Sequence, residues 1–153
     1  MNDEQLASGS AEEKLLALIA NREACDAEAL AVLFEQLEPA DEAFMLGQWH
    51  GGRFDGGAEP NPIRWYGKRF NSRTEVDPML CLNDKDEVYV WDTWGPAQMR
   101  EVAYGGKVQA CLIYDQHPMM DYFRKISDDV VMGLGDIKGR PLDFFFWLER
   151  DKP

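Results

Sequence analysis

The sequence predicts a mainly β protein: an antiparallel, closed or nearly closed β-barrel of about eight strands, preceded by two N-terminal α-helices. Three observations carry this. Apolar residues recur at helical spacing before residue 43, whereas beyond it β-branched and aromatic residues alternate between Gly, Pro, Asn and Asp clusters. Charge divides at the same place: residues 1–42 hold eleven acidic and two basic side chains, and residues 43–153 hold seventeen and fourteen. The pair Gly105-Gly106 sits between two extended stretches, where a primed hairpin turn needs positive φ at both positions. The chain therefore reads as an acidic helical segment (1–42) packed on a barrel domain (43–153).

Each element follows from local chemistry. Residues 11–22 place Leu15, Leu18 and Ile19 on one helical stripe, with Ser10 as N-cap and Glu13 three positions on. Asp26 caps a second helix with Leu30, Val32, Leu33, Phe34 and Leu37 as apolar residues, and Pro39 stops it. Strands are expected near 45–54, 62–71, 76–82, 87–93, 97–104, 107–114, 129–137 and 143–150. In 107–114, Val108, Ala110, Leu112 and Tyr114 alternate with Gln109, Cys111 and Ile113, so both faces are apolar enough to be covered. Residues 117–125 are expected to break the strand series as a short helix, with Pro118 at its first position. The glycines around Leu134 fit a bend or close approach within a strand rather than a dinucleotide loop.

Composition narrows the function classes. The 153 residues are 45% hydrophobic and 29% charged, enough for one domain with its own core. The formal net charge of −12 argues against nucleic acid and anionic membrane, since phosphate binding needs clustered Lys and Arg. No apolar run nears the roughly 18 residues of a spanning helix, and the N-terminal residues lack a secretory pattern, so no membrane insertion and a cytoplasmic location are expected. Three widely spaced cysteines (Cys25, Cys81 and Cys111) form no CxxC and read as buried free thiols. With only His50 and His117 as imidazoles, no metal site is expected. Phosphate-loop, GxSxG and HExxH motifs are lacking.

The segment Gly47-Gln48-Trp49-His50-Gly51 lies on the first expected strand. With FMLGQWHGG (44–52), RWYGKRF (64–70), VYVWDTWG (88–95), YGGKVQACLIYDQHPMMDYFRKISDD (104–129) and FFFWLER (144–150), it makes the chain resemble the bacterial GXWXG-domain family. That family continues into a second segment known only as a domain of unknown function. More distantly, the pattern is similar to the calycin group of lipocalins and nitrobindins. This resemblance implies that Trp49 closes one end of the barrel, with Arg150 packed over it. A nitrobindin-like axial His is lacking in 144–150, so haem is not expected, nor is any other cofactor.

Candidate site residues fall in two groups. Tyr114, Asp115, Gln116 and His117 form the densest polar stretch, with Asp121, Tyr122 and Arg124 beyond it. On one reading Asp115 orients His117 for acid–base work. On the other, Asp115 caps the short helix, and Asp121 pairs with Arg124 on its surface. The second group holds Trp65, Tyr66, Lys68, Trp91 and Trp94, with Met99, Met119, Met120 and Met132 read as a pliable apolar lining or as plain core filler. Strand alternation puts Tyr66 on the face of Lys68. Lys68 reads either as a partner for a ligand carboxylate inside the barrel or as a solvated edge lysine. The leading function is binding of a small apolar or amphipathic molecule, such as a lipid, in the barrel. The alternatives are a cavity isomerase, hydratase or hydrolase using Asp115 and His117, and an interaction module, homodimeric or otherwise, built on the helices.

Overall fold

The computed structural model describes residues 9–152. Two helices come first, α1 (Ala11–Ala20) and α2 (Ala27–Glu35), followed by the two-residue strand β1 (Glu38–Pro39) and the single turn α3 (Glu42–Met45). The remaining strands are β2 (Gly47–Arg53), β3 (Trp65–Phe70), β4 (Val76–Leu82), β5 (Val88–Val90), β6 (Ala97–Tyr104), β7 (Lys107–Tyr114), β8 (Met119–Lys125), β9 (Val130–Ile137) and β10 (Phe144–Arg150).

Each helix starts on the residue its chemistry requires. Ser10, Asp26 and Asp41 accept from the backbone amides of Glu13, Ala29 and Phe44, at 3.1, 2.8 and 2.8 Å. Leu30, Leu33, Phe34 and Leu37 are buried, whereas Val32 is 56% exposed. The helical period places residue 32 opposite that stripe, so its inclusion in the apolar face was an error of spacing.

All strand pairings are antiparallel, and the sheet closes on itself in the order β8-β7-β6-β4-β3-β2-β10-β9-β8, an eight-stranded calycin-like barrel. The expected strand number is right for a partly wrong reason. Residues 119–125 form β8, not a helix, and β5 is a short branch on β4 outside the ring. Pro118 precedes β8 rather than opening a helix. Both β8 faces are covered: Met119 and Phe123 face the barrel core, whereas Tyr122 and Arg124 face the helices. The Asp121–Arg124 surface pair is corrected with it, because residues three apart on a strand point to opposite faces.

Two cores share the sheet. Inside the barrel, Trp49, Phe70, Leu112, Phe123, Phe146 and Leu148 pack together. Outside it, the stripes of α1 and α2 cover Cys111, Tyr122, Met132, Leu134 and Phe145. Strand β7 serves both, with Leu112 inward and Cys111 outward. The β6–β7 hairpin turns on Gly105 and Gly106, at φ 61° and 77°, as a primed turn requires. In mid-β9, Gly133 lies beneath the Phe146 ring, which occupies the space a Cβ would need. Arg124 is wholly buried against the helices and donates to Gln109 Oε1 and to the backbone carbonyls of Phe34 and Tyr104. Among the described residues no helix is long and apolar enough to cross a membrane.

The two barrel ends differ. At one end Trp49 is fully buried and its Nε1–H donates to the Met45 carbonyl of α3 at 2.9 Å. The Arg150 guanidinium lies 4.4 Å from the Trp49 ring and donates to the carbonyls of Phe44 and Leu46. Helix α3 thus stoppers this end, held by the one indole and the one guanidinium. The other end leads into a cavity.

Candidate functional site

The cavity measures about 380 Å³, near the lower bound of the roughly 300–1,000 Å³ range of small-molecule sites. Its apolar walls include Trp65, Met79, Trp94, Met119, Phe144 and Phe146. Arg53, Asp55 and Glu59 also contribute to its lining. Gly135 keeps the wall thin, since a Cβ there would stand 2.7 Å from Met119 Cε and 2.9 Å from Phe144 Cδ1.

Lys68 also lines this cavity, and it is only 3% exposed. Its Nζ donates to the Pro78 carbonyl at 3.1 Å and to Tyr114 Oη at 3.2 Å, and stands 3.2 Å from Asp121 Oδ2 as an ion pair. The rings of Trp65, Tyr114 and Phe146 surround the ammonium, with centroids 5.3 to 5.7 Å away. Burial works against the ammonium, but Tyr114 and Asp121 outweigh it and hold the amine above its ordinary pKa. Burial likewise raises the Asp121 carboxyl, and the neighbouring Lys68 only partly offsets this. Tyr114 is pushed up to about 12 by burial, against the pull of Lys68, so it stays a phenol at neutral pH.

Several polar atoms here are left over. Neither Asp121 oxygen has a hydrogen-bond partner beyond the Lys68 ion pair among the described residues, and the buried Trp65 Nε1–H has none either. The Tyr114 hydroxyl proton meets only the Met79 thioether, at 3.9 Å. Buried polar groups are nearly always paired, so this cluster sets the cavity end apart from the rest of the barrel interior.

The candidate residues from the sequence distribute unevenly. Lys68, Trp94 and Tyr114 line the cavity. Met99 is fully buried in the barrel core, and Trp91 packs against that core beside Trp94, ring centroids 5.5 Å apart. His117 stacks flat on Trp94 at 4.2 Å. Asp115 is exposed, and its backbone amide donates to the Pro96 carbonyl. Among the described residues the His117 ring meets those of Trp94 and Tyr114, and no side-chain hydrogen bond or ion pair joins it to Asp115.

Tyr66 leaves the Lys68 face, because register shifts on either side of Gly67 break the alternation of β3. Gly67 has no room for a Cβ beside the Trp49 carbonyl. Tyr66 instead donates to Asp151 at 2.7 Å, in a cluster with Gln48 and His50. Burial and then Asp151 push its phenol to about 12. Burial opposes ionisation of Asp151, but these donors outweigh it and hold the carboxyl below its usual range.

Sequence reasoning missed Phe146 as a site residue, and its reading of Asp121 as a helix-surface partner of Arg124 kept that carboxyl from being placed inside the barrel. A period-two reading of Met119, Asp121 and Phe123 would have put the first two inside the barrel. Among the described residues no group of three or more His, Cys, Asp or Glu is placed to hold a metal ion. Burial raises the pKa of all three thiols, with Asp26 adding to it at Cys25, and Cys111 reaches about 12.

Residues 32–86 match the family model described as GXWXG protein, and residues 95–150 match the one described as domain of unknown function (DUF4334). A crystal structure of a protein from Thermomonospora curvata shares 40% identity, covering 93% of this chain and 99% of that one, with a TM-score of 0.86. The chain belongs to the GXWXG/DUF4334 family. No curated protein matches it. The cavity straddles the two family segments. Trp65, Lys68 and Met79 come from the GXWXG segment, and Tyr114, Met119 and Phe146 from the DUF4334 segment. The Lys68–Asp121 ion pair likewise joins the two segments inside one barrel.

Proposed function

We propose that this GXWXG/DUF4334 protein binds a small, largely apolar molecule in its barrel cavity, without covalent chemistry at Asp115 or His117. The observation that carries this is the cavity of about 380 Å³, walled by aromatic and methionine side chains and holding a buried, ion-paired lysine. Apolar walls with a few fixed polar groups are the general form of small-molecule sites. Stability alone is a weak reason for a buried ion pair, since apolar residues of similar volume often replace one without loss. Native mass spectrometry of protein purified from its own source, with gentle desalting, tests the reading. A retained small-molecule mass, lost on denaturation, is the expected result. An apo mass, together with no binding of any apolar probe, would reject it.

A further inference from the structure

Resting on that reading, we infer that the ligand is neutral and carries a carbonyl oxygen, which accepts a hydrogen bond from Tyr114 while the rest of the molecule fills the apolar cavity. The argument is one of unfilled donors. An ammonium has three N–H bonds, and those of Lys68 face Pro78 O, Tyr114 Oη and Asp121 Oδ2. Two of the three N–H bonds are thus spent on neutral acceptors, and the Asp121 carboxylate at 3.2 Å balances the charge. Lys68 is neither a free receptor for an anion nor, while protonated, a nucleophile for a Schiff base.

Tyr114 is different. Its oxygen already accepts from Lys68, so its own proton must go elsewhere, and the thioether at 3.9 Å is a weak acceptor. Accepting from a cation strengthens a hydroxyl as a donor. The unpartnered Nε1–H of Trp65 is a second donor on a cavity-lining ring. The Tyr114 hydroxyl is therefore a donor on the cavity wall, while Asp121 is ion-paired to Lys68 and lies outside the lining. An acceptor oxygen on an apolar body answers this pattern. An anion would meet Asp55 and Glu59 against Arg53 in the lining, on a chain of formal net charge −12.

Three probes of similar shape separate the possibilities: benzophenone, diphenylmethane and diphenylacetate, titrated calorimetrically into the full chain. The inference expects benzophenone to bind roughly fivefold to tenfold tighter than diphenylmethane, the size of one net hydrogen bond, with diphenylacetate weakest. Within the Tyr114→Phe protein the ratio of ketone to hydrocarbon affinity should fall to about one, whatever the variant does to both affinities together. In the wild-type protein, independently of any variant, the carbonyl stretch of ¹³C-labelled benzophenone should fall to lower frequency on binding. Equal affinity for ketone and hydrocarbon, or an unshifted carbonyl stretch, overturns the inference and leaves the binding cavity standing. Tightest binding of diphenylacetate overturns it in favour of an anion site at Lys68. Failure of all three probes, the hydrocarbon included, rejects the binding cavity and the inference with it.

Discussion

The two ends of the barrel use similar residues for opposite purposes. At the stoppered end, a tryptophan, an arginine and a helical turn satisfy one another: Trp49 Nε1 and the Arg150 guanidinium donate to carbonyls of α3 and the residue after it. At the cavity end, a tryptophan, a lysine, a tyrosine and a carboxylate share the same interior, and the Trp65 N–H, both Asp121 oxygens and the Tyr114 proton lack a good partner. An aromatic–cation cluster is thus no signature of a site in itself. The lesson lies in the accounting of donors and acceptors: it closes at one end and stays open at the other.

The sharpest way to break this comparison is at the buried ion pair. Lys68→Met should destabilise the protein by about 3–5 kcal/mol in denaturant unfolding, because it strands the Asp121 carboxyl. Adding Asp121→Leu should restore most of that loss, since an apolar pair of similar volume is often as stable as a buried ion pair. The pH dependence of the single variant has a fixed sign. Burial raises the folded-state pKa of Asp121, so the folded state binds more protons, and the stability of Lys68→Met should fall as pH rises from about 4.

A smaller effect belongs to the stoppered end. Arg150→Met removes a cation–π contact and two hydrogen bonds to carbonyls, and should cost about 1–2 kcal/mol. Affinity for diphenylmethane should stay unchanged, because Arg150 is not part of the cavity wall. Altered affinity would join the two ends that the comparison separates. The smallest effect concerns Asp151, outside the barrel core. Its folded-state pKa is lowered by Tyr66, Gln48 and His50 against burial, so its contribution is present above the ordinary carboxylate pKa and lost as pH falls through the lower folded value. Asp151→Asn should lower the melting temperature slightly at pH 7 and flatten its decline in acid.

Local chemistry made much of this fold legible. Ser10 and Asp26 cap their helices, Gly105-Gly106 turns its hairpin, and β7 has two covered faces because its residues are apolar on both. The barrel follows from such features, and Arg150 lies over the Trp49 ring at the stoppered end. The site was less legible because it depends on two local irregularities. A register shift around Gly67 exchanges Tyr66 for Trp65 at the cavity. Pro118 mimics a helix start before a strand whose outer face is as covered as its inner one, which hid Asp121. The Lys68–Asp121 pair spans the two family segments, so only closure of the barrel brings it together.

The most direct test of the difference between the two ends is methyl NMR of ¹³C-methyl-methionine protein titrated with benzophenone. Met79 and Met119 line the cavity, whereas Met45 sits in α3 at the stopper. The account predicts that the Met79 and Met119 methyl signals move with benzophenone and that the Met45 signal stays in place. Static Met79 and Met119 signals, or a Met45 signal that moves with them, would contradict it.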